Sequence, residues 1–401
     1  MARPRFARHV PPTATPLRWQ EWQAGLHPAQ DALAQFRQAL AAYLGVPDCF
    51  LAASGRTALF LLLRTLRDLP ALHGRSEVIL PAYTCPAVAK VVLDAGLTPR
   101  LVDIDPRTHA YIAGGLAAKA GAATLALICV HPYGLALPVD EAIAVARAVG
   151  AVVIEDAAQA MGARRAGRPV GTHGDFGLFS LGPGKPLSTG GGGVVCARDA
   201  THAAALARTW QTLAQPGIAA TGWTLARLGL FSLAFHPAGW WLASKAGAHK
   251  AGDHEASWGY ALRGLAASQA AVGLRLLPSL DAINAARRAR AQAWLEQLQG
   301  LPGVLWPPAQ GADEGAIYLR LPLVLQDAER AGGLQARLAA AGIGAGRMYR
   351  RTLDEIFPTL RGAAYPGATQ VARGLLTLPT NHYVDGHDIR RGAAILRQAL
   401  A

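Results

Sequence analysis

The chain has 401 residues, 51% of them hydrophobic and 16% charged, and a formal net charge of +13 from 39 Lys and Arg against 26 Asp and Glu. That length and apolar content exclude a disordered polymer and suffice for a large core beside a smaller one. The positive charge invites an anionic partner, but the arginines are scattered and no nucleic-acid module is present, so no nucleic-acid partner is expected.

Residues 1–17 are basic and proline-bearing and predict an extended arm. No apolar run follows the charged start, so a signal peptide is not expected. The spacing of Ala32, Leu33, Phe36, Leu40 and Tyr43 predicts a helix within 28–44. A short strand at 49–53 runs into Ser54-Gly55, which cap a predicted helix at 56–66. Strand, small polar residue, glycine and helix start form a geometry for binding an anion, because free N–H groups and the positive helix end point outward. Strands at 77–81, 100–104, 125–130 and 151–154 alternate with helices at 86–95 and 140–149. That alternation predicts a mostly parallel α/β sheet with helices on both faces. Sites in such sheets gather at the carboxyl ends of strands, where Ser54, Tyr83, His131, Asp156 and Ser180 all fall.

The stretch 152–195 organises the rest. An apolar β-branched run ends in Glu155-Asp156, with Gln159 three residues on. A second apolar run, 176–181, carries Ser180 and leads through Gly182-Pro183-Gly184 to Lys185. Four glycines, 190–193, open another β-branched run. Only five lysines occur (Lys90, Lys119, Lys185, Lys245, Lys250), and Lys185 alone sits between two apolar runs framed by Gly and Pro. A lysine desolvated there becomes a usable amine nucleophile.

Beyond residue 199 the chain turns helical. Residues 223–244 gather Trp223, Phe231, Phe235, Trp240 and Trp241; the uncharged part, 228–244, is too short and too broken by Pro237 and Gly239 for a membrane span. They are expected to cover a partner subunit, or to meet a membrane surface or lipid-bearing acceptor. A helix at 279–298 is followed by a strand at 317–324, a helix at 333–341, the basic turn Arg347-Met348-Tyr349-Arg350 and a closing helix from 385. The four cysteines (Cys49, Cys85, Cys129, Cys196) have no metal-binding spacing; reduced thiols, no metal and a cytoplasmic location are expected.

These pieces resemble the DegT/StrS-type sugar aminotransferases, fold type I enzymes of pyridoxal 5′-phosphate. The matching segments are SGRTAL at 54–59, PAYTCPAVA at 81–89, VDIDPRT at 102–108, VHPYG at 130–134, EDAAQAMGA at 155–163, GDFGLFSLGPGKPLSTGGGG at 174–193 and LLTLPTNHYVDGHDI at 375–389. The resemblance implies a seven-stranded, mostly parallel sheet domain and a smaller C-terminal α+β domain. The corresponding layout is an arm at 1–17, a large domain at 18–278 with an apolar insert near 216–250, a connecting helix at 279–298 and a small domain at 299–401.

It also implies roles. Lys185 bonds the cofactor aldehyde and moves the proton, Asp156 pairs with the ring nitrogen, and Gln159 lies beside the ring hydroxyl. Gly55, Arg56, Ser54 and Ser180 hold the phosphate, and Cys85 takes the ring-stacking position. Tyr83, His131, Tyr349 and His382 become substrate-binding candidates. The implied reaction moves an amine from an amino-acid donor to a keto group of a nucleotide-linked sugar, in a homodimer.

Three departures stand out. Arg56 replaces a usual Thr or Ser, Cys85 replaces an aromatic, and the Asn-Tyr-Arg stretch ahead of Gln269 is absent. Two rival classes remain: a PLP-dependent sugar dehydratase or other non-transferring PLP enzyme, and a non-catalytic membrane-surface or regulatory homologue. Such dehydratases commonly carry histidine in place of the lysine, whereas Lys185 is intact.

Overall fold

The computed structural model describes residues 8–245, 259–307 and 315–400. Helices α1 (Trp19–Leu26) and α2 (Ala32–Leu44) precede strand β1 (Asp48–Ala52) and helix α3 (Gly55–Arg67). Then come β2 (Glu77–Pro81), α4 (Pro86–Asp94), β3 (Thr98–Val102), β4 (Thr124–Val130), α5 (Asp140–Val149) and β5 (Val152–Asp156). A small hairpin, β6 (Arg164–Arg165) and β7 (Arg168–Pro169), leads to β8 (Phe176–Ser180), β9 (Gly193–Ala197) and α6 (Ala200–Trp210).

Seven of these strands form one sheet in the order β1-β9-β8-β5-β4-β2-β3. Only β9 runs against its neighbours; the other six point the same way. Alternation along the strands sorts the core. Val78, Leu80, Ile128 and Ile154 pack with Leu62 of α3 and Val91 of α4, while Ile79, Leu127 and Val153 pack with Ala142 and Ala146 of α5. With both faces covered, the open ground lies at the carboxyl ends of the parallel strands.

The 200–245 stretch folds as α6 and then the pair α7 (Ile218–Ala234) and α8 (Pro237–Lys245), broken where Pro237 starts the second helix. Leu228 is buried, but Trp223, Leu230, Leu233 and Leu242 are exposed. Residues 246–250 of the expected insert lie outside the described residues. No described helix is long and apolar enough to cross a membrane.

Helices α9 (Ala267–Leu276) and α10 (Leu280–Leu298) lead to a second, antiparallel sheet of β10 (Val304–Leu305), β11 (Arg320–Leu325) and, later, β12 (Leu375–Pro379). Around it lie α11 (Arg330–Ala340), the short α12 (Leu353–Ile356), α13 (Pro366–Gly374) and α14 (Gly386–Leu400). Trp294 of α10 is fully buried in this core, and its indole N–H donates to Pro379 O at 3.0 Å. The strand expected from 317 starts at Arg320 instead. Tyr318 has φ 47°, and Ile317 N donates to Gly134 O at 2.8 Å, so these residues tie the two sheets together rather than extend β11. The carboxylate of Asp103, after β3, makes a second tie by accepting Gly367 N–H and Ala368 N–H at 2.9 and 2.7 Å at the start of α13.

The described arm, from residue 8, is extended. It bridges Val10 to Ile343 in parallel, and Asn381 Nδ2 donates to Pro11 O at 2.8 Å. Two threonines then reach the lysine turn: Thr13 Oγ1 donates to Gly184 O at 3.1 Å and Thr15 Oγ1 to Lys185 O at 3.3 Å.

Candidate active site

Asp156 ends β5 and is buried, with Oδ1 accepting Ala158 N–H at 3.0 Å. Burial pushes its carboxyl above the usual range, against the pull of that N–H and of Lys185 and His131. Lys185 follows β8 on a turn closed by Lys185 N donating to Gly182 O at 3.2 Å. Gly184 takes φ 72° there, and a Cβ on it would stand 2.5 Å from Thr13 Cγ2, so the turn needs glycine twice over. The lysine stem is half-buried and protein crowds its amine. Burial pulls the amine below its ordinary value, Cys85 and Asp156 pull it back, and Arg320 pushes the same way as burial. An amine and a carboxylate, each shifted toward its neutral form, thus share one desolvated site.

The helix start at α3 faces the same ground. Ser54 Oγ accepts Thr57 N–H at 3.1 Å and pairs with Thr57 Oγ1 at 2.8 Å. Ser54 is therefore spent as the N-cap, while the Gly55 and Arg56 amides open the helix with no carbonyl of their own turn. A Cβ on Gly55 would stand 3.5 Å from Ser180 Cβ, and one on Gly182 would stand 3.3 Å from Ser180 Oγ. The helix start, Ser180 and the lysine turn therefore converge on one cradle with the chemistry of a phosphate site.

Gln159 Oε1 accepts Tyr133 N–H at 3.1 Å and its amide reaches the Tyr349 hydroxyl at 3.5 Å. Tyr83 donates to Met348 O at 2.6 Å and accepts from Tyr133 at 3.0 Å, edge-on to Tyr349. The Cys85 thiol lies close enough to the Tyr349 hydroxyl to help burial push that phenol up. Cys85 thus lies beside Lys185 and Tyr349, with Tyr83 and Tyr349 supplying the aromatic surface. Tyr83, Tyr133, Gln159 and Tyr349 line one cleft. Three non-glycine residues on that cleft have positive φ: His109 (59°), Tyr133 (57°) and Tyr349 (48°). Such strain persists where the surroundings over-determine it, and it concentrates at functional sites.

Two expected substrate ligands are corrected. His131 is buried with both ring nitrogens taken: Nδ1 accepts Leu137 N–H at 3.1 Å, and Nε2–H donates to Glu155 at 3.0 Å. It has nothing left to offer a substrate and serves as a brace beneath the site. His382 is exposed and packs on Tyr383 at 4.0 Å between centroids, with Arg287, Arg290 and His236 as its charged neighbours. Those contacts put it with α8 and α10, not with Lys185.

Sequence reasoning missed the roles of Glu155, Tyr133 and Arg320. Fully buried Glu155 accepts from His131, Gly171, His173 and Gly174 at 2.6–3.0 Å. Burial works to raise its carboxyl, but the His131 hydrogen bond, helped by Gly174 and Gly171, holds it below its usual range. An acid inside an apolar strand, followed by the GTHG loop, was the available signal. Thr57 Oγ1 donates to Ala261 O at 2.9 Å. In the stretch lacking Asn-Tyr-Arg, Arg263 instead offers its carbonyl to Ala53 N–H at 3.0 Å.

A family profile described as the DegT/DnrJ/EryC1/StrS aminotransferase family matches residues 24–397. A UDP-N-acetyl-3-dehydro-alpha-D-glucosamine 3-aminotransferase of Acidithiobacillus ferrooxidans is 44% identical over 149 residues, 37% of this chain and 39% of that protein. An L-glutamine:2-deoxy-scyllo-inosose aminotransferase of Streptoalloteichus tenebrarius is 38% identical over 188 residues, 47% of this chain and 42% of that one. The match thus spans about two fifths of each of these relatives. Among solved structures, the sugar aminotransferase CalS13 from Micromonospora echinospora is similar over 97% of this chain and 99% of its own, with TM-score 0.76 and 25% identity.

Proposed function

Because the chain belongs to the DegT/DnrJ/EryC1/StrS aminotransferase family, we propose that it is a pyridoxal 5′-phosphate-dependent aminotransferase. It takes the amine from an amino acid and gives it to a keto group, that of a nucleotide-linked sugar. The observation that carries this reading is the shared desolvated site of Lys185 and Asp156 beside the α3 start. The residues fit the cofactor. A buried carboxylate with one backbone donor suits a ring nitrogen that keeps its proton, and the glycine-and-serine cradle suits a phosphate. When bound, the cofactor supplies an electron sink for charge developing at the substrate carbon.

The chain's own residues do the rest. Asp156 holds the ring-nitrogen proton. Lys185, its amine made easier to deprotonate by burial, provides the covalent anchor and then carries a proton to and from the substrate carbon. Gly55, Arg56 and Ser180 hold the phosphate, while Gln159, fixed by Tyr133 N–H, turns its amide toward the ring hydroxyl. Tyr83 and Tyr349 wall the substrate side and exclude water. The intact lysine favours transfer over dehydration. The chain works in the cytoplasm as a homodimer, the exposed face of α7 meeting a second copy.

Purified protein is expected to carry a visible cofactor absorbance that borohydride discharges, fixing the cofactor to the peptide containing Lys185. Labelling at Lys90, Lys119, Lys245 or Lys250 overturns the assignment. Incubating an amino acid and a nucleotide-linked keto sugar with the protein should yield the amino sugar and a keto acid.

A further inference from the structure

Residues 181–191, between β8 and β9, take up no helix or strand, yet they carry the reactive lysine. From within, Lys185 N–H donates to Gly182 O at 3.2 Å and Thr189 N–H to Leu181 O at 3.0 Å. Among the described residues no backbone N–H reaches the carbonyls of Gly184 and Lys185. The hydroxyls of Thr13 and Thr15 meet them instead, at 3.1 and 3.3 Å. Those carbonyls belong to the planar peptide units on either side of the Lys185 Cα, so holding both fixes the direction in which the lysine side chain leaves the backbone. The fit is steric as well: Thr13 is buried, and its methyl fills the space that a Cβ on Gly184 would need. The arm is anchored before it arrives. Val10 bonds Gly342 O and Gly344 N–H at 2.9 and 2.8 Å, Arg8 forks onto both oxygens of Asp388 at 2.9 Å, and His9 N–H donates to Pro237 O at 3.2 Å. A hydroxyl on a loose tail would restrain nothing, whereas one on a tail pinned at 8–11 ties the lysine backbone to the second sheet.

We propose that Thr13 and Thr15 are positioning residues for Lys185, an inference that rests on the aminotransferase reading. One nitrogen must serve first as covalent anchor and then as proton carrier, so its backbone has to allow a change of place and still return it accurately. The glycines of the turn supply the freedom, and the two threonines limit it. The limit matters to rate more than to binding, because a misplacement of about 1 Å at a reacting atom costs on the order of a hundredfold. The amino-acid donor meets the cleft walls, not the arm's hydroxyls, so its affinity does not depend on them.

The test compares holoprotein carrying Thr13→Val with Thr15→Val against holoprotein carrying Thr13→Ser with Thr15→Ser. Valine keeps the shape and removes the hydroxyl; serine keeps the hydroxyl. With L-glutamate as donor probe, the half-reaction is read from the visible absorbance of the bound cofactor. The valine pair should lower its limiting rate on the order of tenfold to a hundredfold and leave the L-glutamate concentration at half-saturation unchanged. The pH at which that absorbance titrates should rise by about one pH unit, because a lysine nitrogen freed to meet water sheds the burial that lowers it. The ionisable groups about that amine, Asp156, Cys85 and Arg320, all sit on other segments. The serine pair should restore both readings. If the valine pair does not fold, Thr15→Val alone, at a half-buried position, should cost on the order of fivefold in rate with the same sign of titration. A lower denaturation midpoint with rate and titration unchanged, a defect confined to half-saturation, or a loss that serine does not restore overturns the proposal. Wild-type protein that binds no cofactor would sink the aminotransferase reading. Trinitrobenzenesulfonate labelling of Lys185 then reads the positioning: a labelling pH that rises in the valine pair and not in the serine pair leaves it standing, and equal values overturn it too.

Discussion

Glu155→Gln isolates the brace under the site. The two carboxylate oxygens divide four donors: Oε1 takes His173 and Gly174 N–H, and Oε2 takes His131 Nε2–H and Gly171 N–H. A glutamine keeps one acceptor and turns the other into a donor. Whichever way the amide is set, two buried N–H groups face an NH₂. A change of His131 tautomer gives no relief, because Nδ1 must stay an acceptor for Leu137 N–H. Each stranded donor costs about 1–3 kcal/mol, so the variant should lose about 2–6 kcal/mol. That is a large share of the roughly 5–15 kcal/mol that holds a domain folded.

Urea denaturation followed by far-UV circular dichroism at neutral pH measures the loss; a change under about 1 kcal/mol refutes the account, being no more than an ordinary substitution. The pH dependence has a definite sign. Glu155 is held below its unfolded value of about 4.3. Its contribution is therefore full above that value and is lost as pH falls toward the lower folded value. The gap between wild type and variant should narrow on acidification and stay constant above about pH 6. A gap that widens in acid contradicts the arrangement.

Asp156→Asn should keep the fold but strand the ring-nitrogen proton, at a cost of roughly 3–5 kcal/mol. Where that falls on the transition state, turnover drops on the order of a hundredfold to several thousandfold; near-normal turnover removes Asp156 from its role. Cys85→Phe exchanges the thiol contact with Tyr349 for an aromatic face and should tighten cofactor binding by at most about 1.5 kcal/mol. Equilibrium dialysis showing weaker binding would place the ring elsewhere. Trp223→Glu with Leu230→Glu puts charge on the exposed α7 face and should turn a dimer into monomers in sedimentation velocity. A wild-type monomer that pellets with anionic liposomes at low salt would replace the second copy by a membrane surface.

Much of this was legible because the relevant signals are local. A β-branched run ending in Asp156, and Ser180 five residues before Lys185 on a glycine turn, mark strand ends wherever the strands pair. His131 was misread because its sequence position, just beyond β4, fits a ligand as well as a brace. Only the fold brings Leu137 N–H and Glu155 to its two nitrogens. Arg320 was illegible for a similar reason: an arginine in AIYLRLPLVL reads as an edge charge until the second sheet is set against the first. The Tyr318 kink is likewise a tertiary demand, since nothing local asks a tyrosine for positive φ.

The arm's two threonines bear on the order of assembly. Residues 13 and 15 leave the ribosome some 170 positions ahead of the carbonyls they bind, and Val10 waits far longer for Ile343. The reactive turn can thus be synthesised and its strands paired while its outer carbonyls still face water. Docking of the arm then becomes the step that shuts the lysine loop, and it depends on the C-terminal sheet that receives Val10. A nascent or clipped chain could hold a complete parallel sheet and still leave its amine unguarded, so proteolysis ahead of α1 should report maturation of the site more sharply than any probe of the core.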